Sequence, residues 1–285
     1  MRRIFLILFL APILTIAQDL DAGAKGQNSI EYYLNAYKQT DGSTGTILPV
    51  LSFVDKLKQK EESFERPNDF LAYLFHKTHQ RFLRYYHEEA SFGQLLTDRT
   101  YNCLTATALY ALLLDHFDLD YKVIETNYHI FLITQTSQGV VLLETTDPTN
   151  GFVTDPKEIE KRIAQYRENR IEKDVSNKAT YYRFKVDMYK EVNLDQMLGL
   201  LYYNLSIQAY NHQKLPLAIE QLGLAAKLYH SDRIDEFSKI LLLSVLESNF
   251  EVRMKARYLQ NIQSFRKNQL DATASSEYLA TQQTQ

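Results

Sequence analysis

The sequence has one cysteine, no tryptophan and no cluster of basic residues within its 285 positions. A chain with one cysteine forms no internal disulfide, so Cys103 is either a small buried side chain or a thiol kept for its reactivity. Neither a Gly-rich phosphate loop nor a Ser-centred nucleophile elbow is present, which leaves two common catalytic motifs out of consideration. The chain is also acidic, with 32 Lys and Arg against 35 Asp and Glu, and this composition argues against a nucleic acid partner.

No apolar run reaches the ~20 residues that span a bilayer as a helix. The run at the start, from Ile4 to Leu14, follows Arg2 and Arg3 and precedes the small residue Ala17. That pattern is typical of a cleaved signal peptide, which we expect to cover residues 1–17. The mature protein is then predicted to be secreted or periplasmic, with no stable membrane anchor. A retained N-terminal anchor is the alternative.

Helical spacing of apolar residues dominates the first part of the mature chain. Residues 18–46 are polar and predict one short helix, from Ser29 to Lys38. Apolar side chains then recur every three or four residues from Val50 to Lys60 and from Asn68 to Tyr86, which predicts two packing helices. The stretch from Ser91 to Thr100 shows no clear period and is predicted to be a loop.

The single cysteine lies at a predicted helix start. Leu104 to His116 is apolar nearly all round, as expected of a buried helix, and Asn102 is a residue type that caps helix N-termini. Cys103 then lies in the first turn, where unpaired backbone N–H groups and the positive end of the helix dipole stabilise a thiolate. The same N–H groups could hold an oxyanion.

Two β-rich runs follow that helix, from Tyr121 to Thr134 and from Val140 to Thr146, and Gly139 suits the left-handed position of a three-residue hairpin loop. In that register His129 lies directly opposite Asp147, on the same face of the hairpin. Opposed Cβ atoms are ~5 Å apart, so the carboxylate could hold the imidazole in one tautomer. A slip of one residue would separate the two side chains.

The remainder of the chain is predicted to be largely helical. A charged connector at residues 156–190 leads to a helical region at 191–267 and then to a Gln-, Thr- and Ser-rich tail at 268–285, which we expect to be disordered. The helical region resembles a tetratricopeptide repeat in the order of its aromatic, small and large side chains. The matching positions are Tyr202, Leu205, Ser206, Ala209, Ala218, Leu222 and Ala225. These helices either pad a catalytic core or present a groove to a protein ligand.

Residues 94–155 contain three features in a fixed order: a cysteine at a helix start, a histidine in a strand, and an aspartate at a strand end before Pro-Thr. This order resembles the pattern of the transglutaminase-like superfamily. The matching stretches are Asn102-Cys103-Leu104-Thr105-Ala106, Leu119-Asp120-Tyr121-Lys122-Val123, His129-Ile130-Phe131 and Asp147-Pro148-Thr149. The resemblance is to the compact branch of that superfamily, in which such a core is joined to tetratricopeptide-type helices.

The resemblance implies an α+β fold, in which a papain-like, transglutaminase-like core at residues 47–155 packs the cysteine helix on a small antiparallel sheet and precedes the repeat-like helices. It implies that Cys103, His129 and Asp147 form a triad that hydrolyses or transfers the acyl group of an amide in a protein or peptide substrate. Gln94 is a weak suggestion for a second oxyanion donor. Such a reaction requires no metal and no organic cofactor. The alternative is an inactive core that binds a protein partner through its C-terminal helices.

Each of these residues also has a purely structural explanation. A lone cysteine at the head of an apolar helix usually packs in a core, and aspartate before proline commonly forms a turn. His76 and His79 share a helix face, as a pair of metal ligands would, but no third ligand clusters with them in the sequence. For that pair a packing or exposed role is favoured.

Overall fold

The computed structural model describes residues 28–168 and 188–282, so the predicted signal peptide and part of the charged connector lie outside the described residues. The described chain is a mixture of helices and small sheets. Its helices are α1 (Asn28–Gln39), α2 (Leu48–Glu61), α3 (Pro67–Phe82), α4 (Phe92–Thr97), α5 (Cys103–His116), α6 (Pro156–Glu168), α7 (Leu194–Asn211), α8 (Leu215–Leu228), α9 (Asp232–Glu247) and α10 (Val252–Gln282). Its strands are β1 (Tyr85–Tyr86), β2 (Thr100–Tyr101), β3 (Tyr121–Thr126), β4 (Ile130–Thr136), β5 (Gly139–Leu143), β6 (Phe152–Val153) and β7 (Tyr189–Val192).

The three helices predicted before the cysteine are present, but α3 ends at Phe82 and Tyr85–Tyr86 forms β1, so the prediction of a helix as far as Tyr86 is wrong at its end. Both α2 and α3 begin with a proline in their first turn, where its missing N–H group has no intrahelical partner to lose. The prediction of a plain loop between Ser91 and Thr100 is wrong, because α4 occupies most of it. Ser91 and Gln94 form a capping box there, in which each side chain accepts a bond from the other residue's backbone N–H. A six-residue helix has too few turns to show a period.

The main sheet is antiparallel and has five strands in the order β6-β5-β4-β3-β7. Alternate side chains of its central strands point to two separate cores. Leu132 and Leu143 join the large core with α5, whereas Phe131 and Leu142 join a smaller core with Ile159 of α6. The sheet is therefore covered by α5 on one face and by α6 on the other, which agrees with an α+β fold.

Two details of the predicted hairpin are wrong. The first β-rich run is not one strand, because Asn127, Tyr128 and His129 separate β3 from β4, and His129 therefore lies just before a strand rather than in one. The loop between β4 and β5 has two residues rather than three, since Thr136 pairs directly with Gly139, whose φ is +119°. The residue of β5 opposite each residue of β4 is consequently shifted by one position from the predicted register. A shift of one residue moves side chains to the opposite face of the sheet.

The C-terminal helices belong to the same core as the cysteine helix. α7 packs on α5 and α1, and α8 packs along α7, so one continuous apolar cluster reaches from α1 to α10. Ser206 and Ala218, two of the positions that match a tetratricopeptide repeat, meet where the Ser206 hydroxyl donates to the Ala218 carbonyl at 2.6 Å. α10 extends to Gln282, so the tail predicted to be disordered is helical as far as that residue. In the two described ranges, no helix combines the length and the apolar character needed to cross a bilayer.

Candidate active site

The start of α5 holds Cys103 in a defined position. The Asn102 side chain accepts a hydrogen bond from the Thr105 backbone N–H at 2.9 Å, and the Thr105 hydroxyl accepts one from the Asn102 N–H at 2.9 Å. The Asn102 amide nitrogen also donates to the carbonyls of Glu88 and Ala90, each at 2.9 Å. Asn102 is buried, whereas Cys103 remains partly accessible. The cap therefore fixes the helix start to the preceding loop, as predicted, while Cys103 stays partly accessible.

His129 makes a hydrogen bond with Glu144, and Cys103 lies close enough to the imidazole to raise its pKa. Its Nε2 lies 2.5 Å from Oε2 of Glu144. The side chains of His129 and Glu144 are only 22% and 7% exposed, so this ion pair is largely shielded from water. The imidazole thus has a carboxylate bound to it and a thiol nearby, which are the groups that a nucleophilic cysteine requires.

The carboxylate of Glu144 is bound on both oxygens. Oε2 accepts a second hydrogen bond from the Tyr166 hydroxyl at 2.8 Å, and Oε1 accepts from the Thr146 backbone N–H at 3.1 Å and from the Thr146 hydroxyl at 2.6 Å. A buried carboxylate with several donors remains ionised, because each donor stabilises the charged form. Accordingly, burial raises the pKa of Glu144, but the bonds with His129, Thr146 and Tyr166 outweigh burial and lower the pKa.

Asp147 does not contact His129. Its Oδ1 instead accepts from the backbone N–H groups of Thr149 at 3.1 Å and Asn150 at 2.8 Å, which makes it the first residue of a turn. The reason is the register of the hairpin. With a two-residue loop, Glu144 shares a face of the sheet with Phe131 and His129, whereas Asp147, an odd number of residues further along, does not. A glutamate side chain is long enough to reach a diagonal cross-strand neighbour.

Gln94 also has a local structural role. Its side-chain oxygen accepts from the Ser91 backbone N–H at 3.0 Å as part of the cap of α4, and the residue is exposed. The predicted role as an oxyanion donor is therefore not supported by a contact with Cys103 in the described hydrogen bonds.

Aromatic side chains surround the His129 ring. Phe131 stacks on it with a centroid distance of 6.3 Å, and the Tyr166 ring lies 4.9 Å away. On the thiol side, burial and the neighbouring Cys103 raise the pKa of the half-exposed Tyr86 phenol to about 12. Tyr86 therefore stays neutral, with its O–H intact as a donor, at any physiological pH.

The pKa of His129 is raised well above the usual histidine range. Burial alone lowers the pKa of this imidazole, but the hydrogen bonds with Cys103 and Glu144 prevail and raise it from 6.5 to about 10. At neutral pH the ring is therefore an imidazolium.

This raised pKa makes the stability of the fold depend on pH in a defined direction. The stabilisation from protonated His129 is complete below pH 6.5 and is lost as the pH rises through about 10. We expect the difference in unfolding free energy between wild type and His129→Gln to shrink by up to about 1.4 kcal/mol per pH unit in that window. Guanidinium titrations at several pH values measure it. A difference that stays constant from pH 6 to 10 would show that the ring is neutral in the folded protein.

His79 packs in the core, which is one of the two roles that the sequence favours for it. It is buried, and its ring lies 5.3 Å from Phe75 and 6.1 Å from Tyr110. Burial lowers the pKa of its imidazole and outweighs the opposing effect of the nearby Thr145 backbone. His76 is exposed. Among the residues that the structure describes, no three His, Cys, Asp or Glu side chains are grouped to hold a metal ion.

Two members of this site were missed by the sequence reasoning. Glu144 ends the apolar run Val140-Val141-Leu142-Leu143, and an acidic residue at that place is a signal for a buried, paired carboxylate. Tyr166 lies on α6, and its position in the sequence of that helix does not indicate that it contacts Glu144. No family model matches the chain, and no curated protein and no solved structure shows a significant match to it.

Proposed function

We propose that the protein is an exported cysteine-dependent acyl hydrolase or acyl transferase with a transglutaminase-like, papain-like core, and that it acts on amide bonds of proteins or peptides. The observation that carries the proposal is the position of His129, which is hydrogen-bonded to the buried carboxylate of Glu144 and lies near enough to Cys103 for the two groups to interact electrostatically. A thiol that only packed in a core would not need an ionised, shielded pair beside it.

In this proposal Cys103 is the nucleophile. The thiolate attacks the amide carbonyl carbon, and the backbone N–H groups of Cys103 and Leu104, which precede the first intrahelical bond of α5, stabilise the oxyanion. The C–N bond then breaks, and the His129 imidazolium gives its proton to the departing amine. Water or a second amine next attacks the thioester carbonyl while His129 takes its proton, the C–S bond breaks, and the acyl product leaves with the thiolate and the imidazolium restored. Glu144 orients the ring throughout.

The test uses the fact that Cys103 is the only cysteine, so every thiol signal belongs to it. An ordinary thiol is only a few per cent thiolate at pH 7. We expect iodoacetamide to alkylate the folded protein about tenfold faster at pH 7 than the same chain unfolded in guanidinium, and His129→Gln to remove the difference.

A second readout tests acyl transfer itself. Intact-mass spectrometry after mixing with p-nitrophenyl acetate should show one acetyl group, absent from Cys103→Ala, that is lost again with time. A thiol that is inert until the chain unfolds, together with no acetyl adduct, would contradict the enzyme proposal and support the alternative of an inactive core that binds a protein partner.

A further inference from the structure

The turn that leads into His129 is not stabilised by its own backbone conformation. Asn127 and Tyr128 lie between Thr126 and His129, whose backbones are hydrogen-bonded to each other, and neither of the two has a positive φ. Two-residue hairpin links favour positive φ, because only then does the twist of the link match that of the strands. The conformation of this turn therefore depends on contacts from elsewhere in the molecule.

The backbone of His129 is attached to this turn through Thr126. The Thr126 N–H donates to the His129 carbonyl at 2.8 Å, and the Thr126 hydroxyl donates to the same carbonyl at 3.0 Å. The His129 N–H donates back to that hydroxyl at 3.1 Å. Any displacement of Thr126 is consequently passed to both backbone groups of the proposed catalytic histidine.

Arg233 of α9 holds the turn from the helical side. Its Nη2 donates to the carbonyls of Thr126 and Asn127, each at 3.0 Å, and lies 3.3 Å from Oε1 of Glu125. Glu125 is itself buried and accepts a hydrogen bond from the Tyr229 hydroxyl. Only 14% of the Arg233 side chain is exposed, so these charge-assisted bonds are shielded from water. The rigid guanidinium thus connects the last residues of β3 to the C-terminal helices.

We infer that Arg233 is a positioning residue for His129, acting through the turn from Thr126 to Tyr128. The inference rests on the proposed function, and it gives the C-terminal helices a part in the chemistry. A turn released from Arg233 would let the imidazole move away from the thiol, and Cys103 would then behave as an ordinary cysteine.

The test distinguishes the effect of the two hydrogen bonds from Arg233 to backbone carbonyls from the effect of its buried ion pair with Glu125. Removing Arg233 alone would leave the Glu125 carboxylate buried without its cation, which destabilises a protein by several kcal/mol. Glu125→Gln is therefore the reference background, because its amide oxygen still accepts from Tyr229 and Arg233 still holds the carbonyls. The double variant Glu125→Gln/Arg233→Met removes the donors without creating an unpaired charge.

We expect the double variant to react with iodoacetamide about tenfold more slowly at pH 7 than Glu125→Gln. The pH at which its rate is half-maximal should move towards that of the unfolded chain. Arg266→Met is the matched control, because Arg266 pairs with Asp235 at 3.0 Å within the C-terminal helices, and its rate should stay within about twofold of wild type. Arg233→Lys, which keeps the charge but not the fork, should react at an intermediate rate.

Identical rates and pH profiles in the double variant and in Glu125→Gln would overturn the inference. If the double variant does not fold, Arg233→Lys decides, since a rate equal to that of wild type contradicts the positioning role. Failure of the proposed function is seen separately, as a wild-type thiol that reacts no faster folded than unfolded.

Discussion

Glu144→Gln is expected to slow acetylation of Cys103 by p-nitrophenyl acetate on the order of 100-fold or more at pH 7, whereas Asp147→Asn should leave the rate within about twofold. The glutamine keeps the size of Glu144 but removes the charge that holds the His129 imidazolium at 2.5 Å. Loss of the orienting carboxylate in a catalytic triad costs up to about 10⁴-fold in rate, because the ring adopts the wrong tautomer.

Asp147→Asn is the matched control, since both variants replace one carboxylate by its amide. Asparagine retains the side-chain oxygen that accepts from Thr149 and Asn150, so the turn is preserved. The acetylation rates would be measured by rapid-quench mass spectrometry, with guanidinium midpoints to show that both variants are folded. A larger loss in Asp147→Asn than in Glu144→Gln would assign the orienting role to Asp147 and overturn the triad proposed for this site.

Gly151→Ala is expected to lower the free energy of unfolding by about 3 kcal/mol and to remove the fast reaction of Cys103. Gly151 closes the segment that carries Glu144: its carbonyl accepts from the Glu144 N–H at 2.8 Å, and its N–H donates to the Asp147 carbonyl at 3.0 Å. A Cβ at this position would overlap the carbonyl oxygens of Glu144 and Asp147 and lie 2.9 Å from the Phe75 ring. Backbone atoms cannot move aside without displacing the carboxylate.

Gly223→Ala provides the control for this substitution. Gly223 lies inside α8, and a Cβ there would meet the nearest Phe265 ring carbon at 3.5 Å, an ordinary van der Waals distance. Because alanine favours the helix, this variant should be more stable than wild type by about 0.5–1 kcal/mol. Guanidinium denaturation followed by circular dichroism measures both changes. A Gly151→Ala protein with wild-type stability and a fast thiol would show that the segment has room that the structure does not indicate.

The features that the sequence predicts correctly depend on neighbouring residues. Asn102 caps the helix that starts at Cys103 through bonds to Thr105, three positions away, and α5 is buried because it is apolar on every side. The helices α2 and α3 follow from the spacing of their apolar residues. Cys103 is the first residue of α5, and His129 directly precedes β4.

The choice of carboxylate was decided by tertiary structure. A loop after Thr136 that is one residue longer or shorter would turn every side chain of β5 to the other face of the sheet. Neither Ser137 nor Gln138 has a conformational preference strong enough to determine the loop length. Packing of Leu142 and Leu143 into two different cores settles the register, and it thereby brings Glu144 rather than Asp147 to the imidazole. Tyr166 on α6 and Arg233 on α9 reach the site only because the sheet is covered on both faces, since contacts between distant elements leave no periodic signal in the sequence.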